Sequence, residues 1–211
     1  MYNPYYQPAP ERPRIAYSRT EVLHLAAAVA VLTVAFSFVN PATRGFIPQP
    51  FTVFSSFVAV SSGFVLHELA HKVVAQRYGH WAEFRAHPLG LGLALAIAVL
   101  AKILFAAPGA VLIRGAVTRK ENGVISLVGP GTNLVIAAAS GLPLLYLVDT
   151  TTNLYTLVRT VAMVNAALAV FNLIPAGPLD GKKVWQWNKA VYLAMLATGI
   201  GLFLLILVGW P

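Results

Sequence analysis

The sequence contains no cysteine and only seven acidic side chains in 211 residues. Without cysteine there are no disulfides and no thiolate metal sites. Charged residues make up 10% of the chain, where a soluble domain carries about 25%. Hydrophobic residues make up 58%, and the mean hydropathy is +0.71. That balance excludes an ordinary soluble domain and defines a membrane protein, with the lipid bilayer as its surroundings. The net charge of +8 raises the question of nucleic acid. The basic residues, however, are scattered through short segments between apolar runs rather than gathered on a stripe, so no nucleic-acid partner is expected. No internal repeat is visible, and nothing points to a particular oligomeric state.

The first 20 residues are rich in proline and tyrosine and have no apolar core, which excludes a signal peptide and suggests a flexible basic tail. Residues 21–211 then form a single integral-membrane domain, with no room for an appended regulatory or peptide-binding module. Apolar runs long enough to span a bilayer occupy 21–39, 52–78, 89–107, 122–148, 156–174 and 190–209. The expected fold is all-α, a polytopic transmembrane helix bundle of five to six spans.

Charge asymmetry bears on the number of crossings. If all six runs cross, six basic loop residues fall on the side of the tail and seven on the other. If 89–113 enters the membrane and returns to the same face, eleven fall on the tail side and two, Arg44 and Arg159, opposite. The second arrangement predicts five crossings and a re-entrant, membrane-embedded segment at about 89–113. Large and small residues alternate through "LGLGLALAIA", a period of two, which suggests extended backbone there. An ordinary helix is the alternative, since Leu and Ala are good helix formers.

Ionisable groups inside membrane segments are costly and mark function. His67, Glu68 and His71 form H-E-x-x-H within an apolar run. On a helix, residues four apart share a face, so both histidines can reach one metal ion, and Glu68 can contact a water on it. Catalytic zinc takes three protein ligands and keeps a position for water. Asp180, after "NLIPAGPL", is the best third ligand, with His24, His80 and His87 as the alternatives. The five-crossing topology brings the end of the motif helix and Asp180 to the same, cytoplasmic side. Gly129, Pro130 and Gly131 give a small helix face for close packing, and Asn133 lies on it. Asn165 reads as packing, while Asn172 is nearer Asp180. Trp185, Trp187 and Trp210 read as interface anchors.

"HELAH" (67–71), "ENGVISLVGPGTNL" (121–134) and "FNLIPAGPLDG" (171–181) together resemble the site-2 protease family of intramembrane zinc metalloproteases. The resemblance implies one zinc ion held by His67, His71 and Asp180, with Glu68 as the catalytic base. It implies that Asn133 and Asn172 help position substrate or the reacting carbonyl. Membrane-spanning protein substrates, cleaved within locally unwound helices in regulated intramembrane proteolysis, are the implied partners, and a multi-pass protein of the cell membrane is the implied setting. Lys182 follows Leu-Asp-Gly where many members carry a second glycine. Three other classes compete. A catalytically inactive metal-binding scaffold has no need of Glu68. A metal transporter usually shows paired repeats around a midplane site. Membrane proteases of prenylated tails usually take a glutamate as third ligand, and no membrane glutamate follows Glu121.

Overall fold

The computed structural model describes residues 15–39, 47–102, 108–145 and 149–208. The first 14 residues of the expected tail, Arg44 and Trp210 lie outside them. Eight α-helices and two strands follow in the order α1 (Arg19–Val39), α2 (Pro50–Val60), α3 (Leu66–Arg77), β1 (Trp81–Ala86), α4 (Pro88–Ala101), β2 (Gly109–Arg114), α5 (Arg119–Gly141), α6 (Asn153–Asn172), α7 (Asp180–Trp187) and α8 (Lys189–Val208). A π-helical turn, Ser61–Val65, joins α2 to α3, so Pro50–Arg77 runs as one rod of 28 residues.

Among the described residues five helical stretches are long and apolar enough to cross a membrane: α1, the α2–α3 rod, α5 with its 3-10 extension, α6 and α8. Their ends are set by local chemistry. Ser18 Oγ accepts from the Glu21 amide at the start of α1. Thr118 and Glu121 form a reciprocal capping box on α5, and Thr152 caps α6. The spans pack through small side chains. Ala137 on α5 and Ala162 and Ala166 on α6 are fully buried together with Ile206 of α8, so backbones approach closely where lipid gives no hydrophobic drive.

The segment after α3 is where expectation and structure differ. The alternating stretch is helical, not extended: α4 begins at Pro88, with His87 Nδ1 accepting from the Gly90 amide, and ends at Lys102 in a left-handed conformation. Its Leu and Ala content outweighs the period of two, in which Ile97 is the single β-branched residue favouring a strand. Its 14 residues span about 21 Å, short of the ~30 Å hydrocarbon core. Extended backbone lies instead on either side of it. β1 and β2 pair antiparallel from Trp81↔Arg114 to Ala86↔Gly109, and His87 N–H reaches Pro108 O at 2.9 Å. The chain therefore returns to where it left, as a re-entrant segment does.

Because the hairpin closes on itself, the turn between α3 and β1 and the loop after β2 fall on one face of the membrane. Cysteines introduced at exposed Tyr78 and exposed Ala116 should both react with a membrane-impermeant thiol reagent from one side only. Labelling from opposite sides contradicts the topology, and the native chain contributes no background thiol.

Candidate metal centre

The H-E-x-x-H residues occupy the first turns of α3, and Asp180 is the first residue of α7. Leu179 is extended (φ −64°, ψ 155°), which delivers Asp180 to the helix start. Gly181 lies in α7, and a Cβ there would stand 2.1 Å from the Leu173 carbonyl oxygen. The absent side chain lets α7 dock on the end of α6.

Three donor atoms converge. His67 Nε2 and His71 Nε2 are 3.0 Å apart, and Asp180 Oδ2 lies 3.3 Å from the first and 3.1 Å from the second. All three side chains are buried. The other ring nitrogens decide what these atoms carry. His71 Nδ1 is 2.6 Å from the Ile125 carbonyl oxygen, which can only accept, so Nδ1 holds the proton. His67 Nδ1 is 2.6 Å from Asn133 Oδ1. The Asn133 amide group donates to Gly63 O at 2.8 Å and Asn165 Oδ1 at 2.9 Å, so its oxygen is the end facing His67. His67 Nδ1 is then a donor too. Both Nε2 atoms are left with lone pairs aimed at each other and at a carboxylate, an arrangement that a cation resolves.

The donor set fits zinc. Bonds of about 2.0–2.1 Å in a tetrahedron give ligand–ligand edges of roughly 3.3 Å, and the three separations fall close to that. Space for the ion is left by Gly129: a Cβ there would sit 2.3 Å from His71 Nε2 and 2.7 Å from His67 Nε2. Ile125, Gly129 and Asn133, four residues apart on α5, form one back wall. Its outer members orient the two imidazoles, and its middle member clears the place between them.

Glu68 lines the same cavity of about 480 Å³, and its Oε2 accepts from the Val111 amide of β2 at 3.1 Å. Asn172 lines the cavity too and donates to Leu168 O at 3.0 Å. Asn133 lies behind His67, fully buried, with its amide nitrogen and oxygen both engaged, rather than on the open side. Asn165, read as packing, is the outer link of that chain, holding Asn133 and donating to Ser62 Oγ at 3.3 Å and Val161 O at 2.9 Å. Its position, seven residues before Asn172, was its only sequence signal. Lys183 Nζ stands 3.6 Å from Asp180 Oδ1, the oxygen turned away from the histidines.

The alternative histidines are engaged elsewhere. His24 Nδ1 accepts from the Ala86 amide at 3.2 Å, His80 lies 3.4 Å from Glu121, and His87 caps α4. Asp149 is fully exposed, and hydrogen bonds from the Thr151 hydroxyl and amide hold its carboxyl below the usual carboxylate range.

A helical membrane bundle with H-E-x-x-H facing an aspartate across a cleared pocket defines a membrane metalloprotease. A Methanocaldococcus jannaschii protein provisionally named as a zinc metalloprotease is 37% identical over 177 residues, 83% of this chain and 88% of its own length. A second M. jannaschii protein, named as a zinc metalloprotease, is 30% identical over 61% of this chain, and a Mycobacterium tuberculosis protein, provisionally so named, 31% identical over 63%. The chain spans about a third of the length of those two, 32% and 31%. No family model and no solved structure matches it. The chain belongs to the site-2 protease family of zinc metalloproteases.

Replacing Gly129 by alanine places a methyl group where the ion fits, so Gly129→Ala should purify folded with metal content near background. Asn133→Ala, which releases the His67 ring, should weaken metal affinity about 10–100-fold. Asp149→Ala should keep full metal content. Metal analysis of the purified variants checks all three, and a fully loaded Gly129→Ala protein would contradict the placement.

Proposed function

We propose that the protein is an intramembrane endopeptidase that binds one zinc ion per chain through His67, His71 and Asp180. On this reading it hydrolyses peptide bonds within or near transmembrane helices of other membrane proteins, in regulated intramembrane proteolysis. The observation that carries the reading is the convergence of three lone-pair donors beside Glu68 in a buried cavity. When bound, zinc acidifies water and polarises a carbonyl oxygen. Glu68 accepts a proton from the attacking water as the new C–O bond forms, then passes it to the amide nitrogen as the C–N bond breaks. Val111 N–H keeps the Glu68 side chain turned to the cavity. Asn172 is suited to hold the substrate backbone near the reacting carbonyl.

A peptide bond inside a helix is shielded by its own hydrogen bonds, so the scissile segment must be unwound first. The outer edge of β2 lies along the cavity through Gly109, Val111 and Ile113, with the Val111 amide given to Glu68 until substrate arrives. An extended substrate can pair with that edge, with its carbonyl then facing Glu68 and the metal position. The basic loops and the shared face of the hairpin and α7 support a cell-membrane protein with the site towards the cytoplasm. Retention of Glu68 weighs against an inactive scaffold, since metal binding does not use that carboxylate, and the absence of a repeat weighs against a transporter.

Glu68→Gln keeps the shape and loses the base. Turnover of a helical membrane substrate should fall by about 10²–10⁴-fold while metal content stays at the parent level. Unchanged turnover would remove Glu68 from the mechanism. Proline placed along the substrate at positions that pair with β2 should raise KM in the parent enzyme, because proline cannot donate to a strand edge. A KM indifferent to proline would exclude strand addition.

A further inference from the structure

Each strand of the hairpin has one paired edge and one outer edge, and the two outer edges are treated differently. The register, fixed by the bond from His87 N–H to Pro108 O, turns the backbone groups of Ala82, Phe84 and Ala86 outward on β1 and those of Gly109, Val111 and Ile113 outward on β2. On β1 three of these groups are taken by side chains, and on β2 one, the Val111 amide, by Glu68. Phe84 N–H donates to Glu21 Oε1 at 3.0 Å, Ala86 N–H to His24 Nδ1 at 3.2 Å, and Ala82 O accepts from Gln76 Nε2 at 3.1 Å. Glu21 and His24, three residues apart on α1, thus seal the β1 edge with side chains. The β2 edge faces the cavity.

Glu21 does more than seal. Its second carboxylate oxygen pairs with Lys72, the residue after His71, and both side chains are wholly buried. Lys72 Nζ also stands 4.1 Å from the centre of the Tyr17 ring. Two desolvated charges are a poor way to gain stability, because an apolar pair of similar volume serves as well or better. What the pair provides is a fixed point. One carboxylate ties α1, the H-E-x-x-H helix and the outer edge of β1 together, and β1 carries β2 by register. The distance between Val111 and Glu68 therefore depends on it. The metal ligands do not: His67 and His71 are held by α5, and Asp180 opens α7.

We propose that Glu21 and Lys72 are positioning residues for substrate, clamping the sealed edge of the hairpin to the motif helix so that the open edge is presented beside Glu68. This deepens the strand-addition reading above and rests on it. Neither residue touches substrate.

The test uses the full chain in lipid vesicles and the double variant Glu21→Leu/Lys72→Met, which removes both charges and the acceptor for Phe84 without leaving a lone buried ion. A merely structural pair is replaced by this apolar one without consequence. The positioning role predicts parent-level zinc and parent-level exchange in 66–77, with amide hydrogen exchange in 81–86 and 109–114 accelerated about tenfold or more. KM for a helical membrane substrate should rise about tenfold, with kcat changing less than about threefold. Parent-like hairpin exchange or parent-like KM overturns the proposal. So does loss of zinc, which would show that the pair supports the metal centre itself. Failure of strand addition is read on a different sample, as indifference of the parent enzyme to proline in the substrate.

Discussion

Inside a bilayer a polar group must find its partner within the protein, and the whole arrangement of this molecule follows from meeting that constraint around three lone pairs. His67, His71 and Asp180 turn bare acceptor atoms on one another at 3.0–3.3 Å. Such a cluster is repulsive on its own and becomes favourable around a cation. α5 makes it possible from behind, with an orienting acceptor for each imidazole and a glycine between them. The π-helical turn before α3 contributes as well: Gly63 within it offers its carbonyl to Asn133, the side chain that sets the His67 ring. Helix irregularities of this type recur at functional sites because they free backbone groups for such use.

The second demand is to admit a peptide without exposing unpaired backbone to lipid. A two-stranded sheet at membrane depth is tolerated only where protein buries its edges or a cavity receives them. Here one edge is closed by α1 and Gln76 and the other opens on the cavity that holds Glu68. The short α4, too brief to cross, holds to the hairpin through buried Leu91, which packs with Phe84, Phe64 and Leu32. Site and hairpin are thus connected by Glu68 and Val111 on one side and by Glu21 and Lys72 on the other.

The cluster of His67, His71 and Asp180 was legible in the sequence because its signals are local. Helical spacing places His67 and His71 on one face whatever surrounds them, and charge asymmetry between loops placed Asp180 on the side of the motif helix. The membrane runs were legible from length and hydropathy, and the return of 89–113 from charge. What was not legible depends on contacts between distant segments. Alternation in 89–98 suggested strand, although residue type favoured helix. The true strands lie in "WAEFRA", in the break between two apolar runs, and in "GAVLIR", and they define each other only once the fold sets them side by side. Asn133 was expected to meet substrate, but only the three-dimensional path of α5 shows it behind His67. Glu21 sits in the first turn of α1, where acids are common, and only the fold sets Lys72 and Phe84 against it.

The central claim is that two imidazoles and one carboxylate of this chain hold a single zinc ion. X-ray absorption at the zinc edge of the purified protein tests it most directly. The account predicts stoichiometric zinc with two imidazole nitrogens and oxygen ligands at about 2.0–2.2 Å, one nitrogen being lost when His71 is replaced. Protein purified folded but without stoichiometric metal, or with a shell lacking two imidazoles, would contradict it.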